Sequence, residues 1–347
     1  MGGRNYVNTH VVALNARIGT ILNQYPILQL VVVLMGVFLL AKICLKCLCL
    51  QSKLFFRRKH RLTDFGEWAV ITGATDGIGK AIALRLAQKG MKIFLISRSE
   101  DRLKQTAEEI KNRVPTVNAL DWLEVDFSEG TTEQLFTKLE KHLKDLDIGV
   151  LVNNVGISYP CPLYYEEVDI ELLDKFVTVN VRAPLVMTRV VYPGMRERHR
   201  GAIICIGSGS SVIPNDLLYC AYSGTKGAAE HFCRSLQAEC ASNNIVVQCQ
   251  TPLLVTTKMS KQRRTNFFVI SPESYAKAAV AAVENAAIGD ETSLSPHWRH
   301  SLVLWFIKKM PVCVWNYFNE KRMRALYKRA LAKRQLEMMQ RGSTKEL

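Results

Sequence analysis

The stretch Trp68-Ala-Val-Ile-Thr-Gly-Ala-Thr-Asp-Gly-Ile-Gly79 decides the fold. Trp68–Thr72 is a short apolar run of strand character, and it passes directly into a loop with glycines at 73, 77 and 79. Ile82, Leu84 and Ala87 then recur on one side of a helix that ends near Gly90. A glycine-rich turn between a buried strand and a helix lets backbone approach a pyrophosphate, whose charge sits well at the helix N-terminus. Without that context the motif would be equally at home as a close-packing loop with no ligand.

Working outward, the same alternation continues. Strands are expected at Lys92–Ser97, Leu120–Val125, Gly149–Asn153, Ala202–Ile206 and Ile245–Gln250. Helices are expected between them: to about Arg113, over Thr132–Leu143, from Ile170 to Glu197 with a break near Pro184, over Leu218–Ala241 and over Ser271–Ala287. Short, continuously apolar strands alternating with helices predict an α/β domain, a doubly wound parallel sheet covered on both faces. This is a Rossmann fold in a single domain, residues 64–298.

Composition bounds the function. The 347 residues are 48 % hydrophobic, which excludes a disordered chain. The net charge of +15 lies at the ends. Residues 1–63 hold nine Lys or Arg and no acid, and 299–347 hold twelve bases and three acids. That leaves 25 bases and 28 acids for 64–298, a mildly acidic domain and a poor nucleic-acid binder.

Residues 1–26 form an N-terminal segment. Ile27–Leu50 is apolar except for Gln29, Lys42 and Lys46, and as a helix it would be about 36 Å long at 1.5 Å per residue. That crosses a hydrocarbon core of about 30 Å if the lysines snorkel, so a transmembrane helix over 27–50 is expected. A monotopic hairpin, or a helix buried against the domain, is the alternative. The basic linker 51–63, with Lys53, Arg57, Arg58, Lys59 and Arg61, puts the domain on the cytosolic side. The basic, partly apolar segment 299–347 is expected to be membrane-associated, with Leu302–Phe318 reading as an interfacial anchor. The ten cysteines form no paired framework and complete no metal site.

Tyr222 and Lys226 stand at i and i+4, on one helix face. A nearby ammonium favours the phenolate and is expected to lower the tyrosine pKa from about 10 toward neutrality, making a usable general acid. A surface Tyr–Lys pair is the bland reading.

The ordered set of the glycine loop, Asn153-Asn154-Val155-Gly156, Asn180, a serine cluster after the fifth strand and Tyr222-Ser-Gly-Thr-Lys226 resembles the short-chain dehydrogenase/reductase family over about residues 66–290. It resembles most the membrane-bound branch of 17β-hydroxysteroid dehydrogenases types 3 and 12 and very-long-chain 3-oxoacyl-CoA reductases, with its inactive relative, hydroxysteroid dehydrogenase-like protein 1. The resemblance implies that Thr72, Gly73, Gly77, Ile78 and Gly79 form a cofactor loop. Asp126 would face the adenine and Asn153 would support the ribose side. Asn180 would hold a relay water, Tyr222 would be the general acid, and Lys226 would grip the nicotinamide ribose. Thr257 would reach the carboxamide.

The family's serine usually stands thirteen residues before the tyrosine, which here is Gly209. Ser208 matches the motif one residue earlier, with Ser210 the runner-up and an extra residue near Asn215–Asp216 accounting for the offset. Strand two ends Ile96-Ser97-Arg98, and a base at that turn favours the 2′-phosphate, so NADP(H) is the expected cofactor.

The substrate is expected to be a lipophilic ketone or an acyl-CoA. The segment Lys258–Arg264 carries four bases that would suit coenzyme A phosphates or lipid headgroups equally. Three functions follow from the resemblance: a 3-oxoacyl-CoA reductase of fatty-acid elongation at the endoplasmic reticulum, a 17-ketosteroid reductase, or an inactive membrane scaffold. A homodimer is left open.

Overall fold

The computed structural model describes residues 25–55, 59–287 and 290–343. Most of the N-terminal segment, Arg57 and Arg58 of the basic linker and the last four residues lie outside the described residues. The chain forms two compact units, which meet in sequence between Arg58 and Lys59.

Among the described residues of the first unit there is one helix, α1 (Pro26–Phe55), of 30 residues. Its described apolar side chains, Val33, Leu34, Phe38 and Leu40 among them, are exposed. Among the described residues no helix is long and apolar enough to cross a membrane. The expected span over 27–50 is therefore not established by the fold.

The second unit is built on a seven-stranded sheet. Its strands are β1 (Trp68–Thr72), β2 (Lys92–Ser97), β3 (Leu120–Glu124), β4 (Ile148–Asn153), β5 (Gly201–Ile206), β6 (Ile245–Gln250) and β9 (Ser293–Leu294). Their order is β3-β2-β1-β4-β5-β6-β9, and every pairing is parallel. The strands β4, β5 and β6 are buried along their whole length, which is why they are apolar without alternation.

One face of the sheet is covered by α2 (Gly77–Gln88), α3 (Glu100–Arg113) and α8 (Pro272–Glu284), with Ile82, Leu103 and Tyr275 in that core. The other face is covered by α4 (Thr132–Leu143), α6 (Ala183–Glu197) and α7 (Cys220–Cys240), with Leu139, Met187 and Cys233 in the second core. Helix starts follow local chemistry. Asp76 caps α2, Thr131 and Gln134 form a capping box at α4, and Ser271 caps α8 with Pro272 in its first turn.

Three features depart from expectation. The strand β9 adds a seventh member beside β6, and β7 (Leu254–Val255) pairs with β8 (Val269–Ile270) in a small second sheet. The break between α5 (Ile170–Val177) and α6 is a π-turn over Thr178–Arg182, and Pro184 lies in the first turn of α6, where its missing N–H costs nothing. The C-terminal segment forms α9 (Trp298–Lys309) and α10 (Val312–Ser343), parted at Pro311. Helix α10 docks on the domain: Met323 and Asn319 are buried, and Trp315 donates through Nε1 to the Asn215 carbonyl at 3.1 Å.

Candidate active site

The strand order reverses between β1 and β4, the point in such sheets where a crevice opens beyond the strand ends. The glycine loop sits there. Gly73 and Gly77 have φ of +62° and +52°, which disfavour a side chain. A Cβ on Gly79 would lie 2.3 Å from Asn154 Nδ2 and 2.5 Å from the Gly73 carbonyl oxygen. Ile78 packs on the core beneath.

Asn154 explains that closeness. Its Nδ2 donates to the carbonyls of Thr72 and Gly73 at 3.0 and 3.1 Å. The Thr72 hydroxyl accepts from the backbone N–H groups of Asn154 and Val155, each at 3.0 Å, and donates to the Val152 carbonyl at 3.3 Å. The ends of β1 and β4 are thereby tied together under the loop.

Asn153, expected to support the ribose side, ends β4. Its side chain is buried and donates to Thr188 Oγ1 at 3.1 Å and toward the Cys205 sulfur. Successive strand residues point to opposite faces, so the asparagine that ends β4 turns into the second core. The clamp on the glycine loop is the next residue, Asn154, which sequence reasoning quoted in the motif without giving it a role.

Arg98 is exposed immediately after β2, and its charge acts on Asp126 beyond β3. Burial disfavours the Asp126 carboxylate, but two hydrogen bonds from Ser128 and the charges of Arg98 and Lys175 outweigh it and hold the pKa below the ordinary value. Arg102 donates to the Asp76 carboxylate at 3.1 Å, and Lys258 pairs with the same carboxylate at 3.3 Å. These residues, with Thr75, Lys80 and Gln105, line a cavity of about 260 Å³ beside the glycine loop. Lys258, expected on the substrate side, thus stands at the loop. The Thr257 methyl lies 2.9 Å from where a Cβ on Gly77 would be, so Thr257 also packs against the loop.

Beyond β5 the three serines take different partners. Ser208 caps the short turn Gly209–Ser211, and its hydroxyl lies within hydrogen-bonding reach of Tyr222. Ser210 donates to Asp216 Oδ2 at 2.5 Å, and Ser211 donates to Glu230 Oε2 at 2.7 Å. The serine that meets the tyrosine is Ser208.

Lys226 is buried and donates to the Ile206 carbonyl at 3.0 Å, with its Nζ 5.9 Å from the centroid of the Tyr222 ring. Burial lowers the Lys226 pKa. The expected fall in the Tyr222 pKa is not observed. Burial raises it, the Ser208 bond opposes the rise, and the Asp216 charge adds to it. Burial of the phenol is the largest influence on it.

Asn180 lies in the π-turn, buried. Its side chain accepts from the Ile157 N–H at 2.8 Å, and donates to the Ile157 carbonyl at 3.0 Å and Thr225 Oγ1 at 3.1 Å. A Cβ on Gly156 would lie 3.2 Å from Lys226 Nζ and 3.3 Å from Asn180 Oδ1. Tyr222, Lys226, Asn180 and Ser208 are therefore brought together around Gly156 and the end of β5.

On the far side, Tyr222 packs in an aromatic cluster with Tyr159, Phe176 and Tyr219. Lys261 reaches across to donate to the Pro160 carbonyl. Among the described residues no group of three His, Cys, Asp or Glu side chains is placed to hold a metal ion.

A family model described as short chain dehydrogenase matches residues 67–267. The chain belongs to the short-chain dehydrogenase family. It is 38 % identical over 279 residues to the human protein named inactive hydroxysteroid dehydrogenase-like protein 1, covering 79 % of this chain and 82 % of that one. It is 42 % identical over 255 residues to the very-long-chain 3-oxoacyl-CoA reductase of Bos taurus, covering 73 % and 78 %. Among solved structures it superposes on the 3-ketoacyl-(acyl-carrier-protein) reductase of Brucella melitensis, in complex with NADH, with a TM-score of 0.58 and 26 % identity, covering 66 % of this chain and 96 % of that one. As a short-chain dehydrogenase the chain falls in an oxidoreductase family.

Proposed function

We propose that this short-chain dehydrogenase is a membrane-anchored, NADPH-dependent ketone reductase of lipid metabolism acting on a 3-oxoacyl-CoA. The observation that carries the reading is the gathering of Tyr222 with the buried Lys226 and Asn180 at Gly156, with Ser208 acting on the phenol by hydrogen bonding. Ser208 would hold the substrate carbonyl oxygen by a hydrogen bond, and Tyr222 would give it a proton as its charge develops. The raised Tyr222 pKa keeps the phenol protonated at neutral pH, the form a reductase uses. The glycine loop, at the start of α2 where the strand order reverses, fits a dinucleotide pyrophosphate at the helix N-terminus. Arg98, with Arg102 and Lys258 nearby, would hold a 2′-phosphate. Bound NADPH would supply the hydride.

The acyl-CoA substrate is supported by the name of the bovine relative and by the exposed Arg263 and Arg264. Membrane anchoring at the endoplasmic reticulum, with the domain facing the cytosol, is supported by the exposed apolar face of α1 and by the exposed Trp305, Phe306, Tyr317 and Phe318. An inactive scaffold is the second reading, favoured by the name of the human relative. Against it stands the complete set of Ser208, Tyr222, Lys226 and Asn180.

The test is NADPH oxidation by the membrane-embedded protein with a 3-oxoacyl-CoA and a 17-ketosteroid in parallel. Turnover of the acyl-CoA is expected. Turnover of the steroid alone would replace the substrate, and turnover of neither would leave the scaffold.

A further inference from the structure

The loop between β5 and α7 builds a hydrogen-bonded chain that leads away from the candidate general acid. Its first member, Ser208, acts on Tyr222 by hydrogen bonding and opposes the rise in the phenol's pKa. Ser208 Oγ donates to Ser210 Oγ at 3.1 Å, and Ser210 Oγ donates to Asp216 Oδ2 at 2.5 Å. The Ser210 N–H donates back to Ser208 Oγ at 3.2 Å, which fixes the two serines in register. Both serine hydroxyls donate in the direction of the carboxylate. Asp216 is itself only partly buried, so the far end of the chain meets solvent while the near end meets the site.

We infer that Asp216 is a proton-relay residue for Tyr222, acting through Ser210 and Ser208. The inference rests on the reductase reading of the same site. After Tyr222 has given its proton to the carbonyl oxygen, the O–H bond of the Asp216 carboxyl breaks and its proton passes to Ser210. The Ser210 proton passes to Ser208 and the Ser208 proton to the phenolate, where the new O–H bond forms. One proton moves and no electrons are transferred. Asp216 is then reprotonated from water.

The groups facing Asp216 suit this duty. Arg322 of α10 favours the carboxylate left after transfer, while Tyr219, at the N-cap of α7, and Tyr222, on α7, are neutral phenols. Burial pushes the Asp216 pKa up, against the Ser210 bond and the Arg322 charge, so its protonated form persists to higher pH. Helix α10 holds the loop in place next door: Asn215 donates to Asn316 Oδ1 at 2.6 Å and accepts from Trp315.

The test uses Asp216→Asn, which still accepts the Ser210 bond but has no proton to release, together with Ser210→Ala. In 3-oxoacyl-CoA reduction each is expected to lower kcat roughly ten-fold, a modest part of what general acid–base groups contribute. KM should be held and the acidic ionisation should disappear from the kcat–pH profile. The double variant should fall no further, because both changes cut one chain. A wild-type kcat and pH profile in Asp216→Asn would overturn the relay, as would a rise in KM at constant kcat.

A wild type that binds NADPH but reduces neither substrate refutes the reductase reading and leaves the chain to be read another way. The phenolate absorbance of Tyr222, with Tyr222→Phe as blank, should then titrate at lower pH in Asp216→Asn. An unchanged midpoint overturns the coupling of Asp216 to Tyr222.

Discussion

Thr72→Val isolates the tie beneath the glycine loop. The side chain is fully buried and nearly isosteric with valine, so the change removes little volume. It removes three hydrogen bonds: two accepted from the N–H groups of Asn154 and Val155, and one donated to the Val152 carbonyl. Each bond contributes about 0.5–1.5 kcal/mol, and a buried N–H left unsatisfied costs about 1–3 kcal/mol. Relaxation of the loop recovers part of this, so a loss of about 3 kcal/mol is expected, or roughly 6–12 °C in Tm for a domain of this size. Thr72→Ser keeps the hydroxyl and loses one methyl, worth about 0.8 kcal/mol. Thermal unfolding of the detergent-solubilised protein reads both, and cofactor titration should show Thr72→Val as the weaker binder. A Thr72→Val protein whose Tm matches that of Thr72→Ser would refute the clamp.

Three further outcomes are expected. Tyr222→Phe should abolish reduction while NADPH affinity stays within a few fold, and Ser208→Ala should cost about 2–4 kcal/mol of transition-state stabilisation, read as kcat/KM. Arg98→Asp should shift the ratio of kcat/KM for NADPH over NADH toward NADH, by removing a phosphate partner and offering a ribose acceptor; an unchanged ratio would move the phosphate site to Arg102 and Lys258. His300 is fully buried, accepts from the Leu253 N–H at 3.2 Å, and has its pKa pushed down by burial to about 4. Its folded pKa lies below the unfolded value, so the folded state binds fewer protons, and stability is lost as pH falls from about 6.5 toward 4. The loss approaches about 3 kcal/mol at the acid end, and urea midpoints at pH 7 and pH 4.5 should converge in His300→Gln.

Much of the fold was legible because burial on both faces leaves an unmistakable trace. The strands β1 to β6 are short, mostly apolar runs, and all six begin within one residue of where they were expected. The strand β9 left no such trace, since Ser293–Leu294 is two residues long and is defined only by pairing with Cys249 and Gln250. The break expected near Pro184 is the π-turn at Thr178–Arg182; the proline signals it locally, but its exact place is held by Asn180 bonding to a loop 23 residues away. Asn153 and Asn154 could not be separated in sequence, because the motif does not say which of two adjacent side chains turns to the core. The i, i+4 spacing of Tyr222 and Lys226 gave their common face correctly. It could not reveal how deeply the phenol is buried, and that burial reverses the sign of the expected pKa shift.

The four bases of the 258–264 segment do not act as one patch. Lys258 is drawn to Asp76 at the cofactor loop, and Lys261 to the Pro160 carbonyl across the site. Lys261 takes a φ of +56° to do so, a conformation unusual for a side chain with a Cβ and sustained only where the surrounding contacts fix it. The segment is therefore a strap, with one base fastened on each side of the site, while Arg263 and Arg264 are exposed. Helix α10 completes the frame from the other side. It grips Asn215, next to Asp216, and through Arg324 and Tyr327 it reaches Tyr164 and Glu167 in the loop after β4. The loops bordering the candidate site are thus held by segments that follow the glycine loop, the tyrosine and the lysine in the chain. The motifs set what chemistry the site can do, and the C-terminal quarter sets the shape of what can enter it.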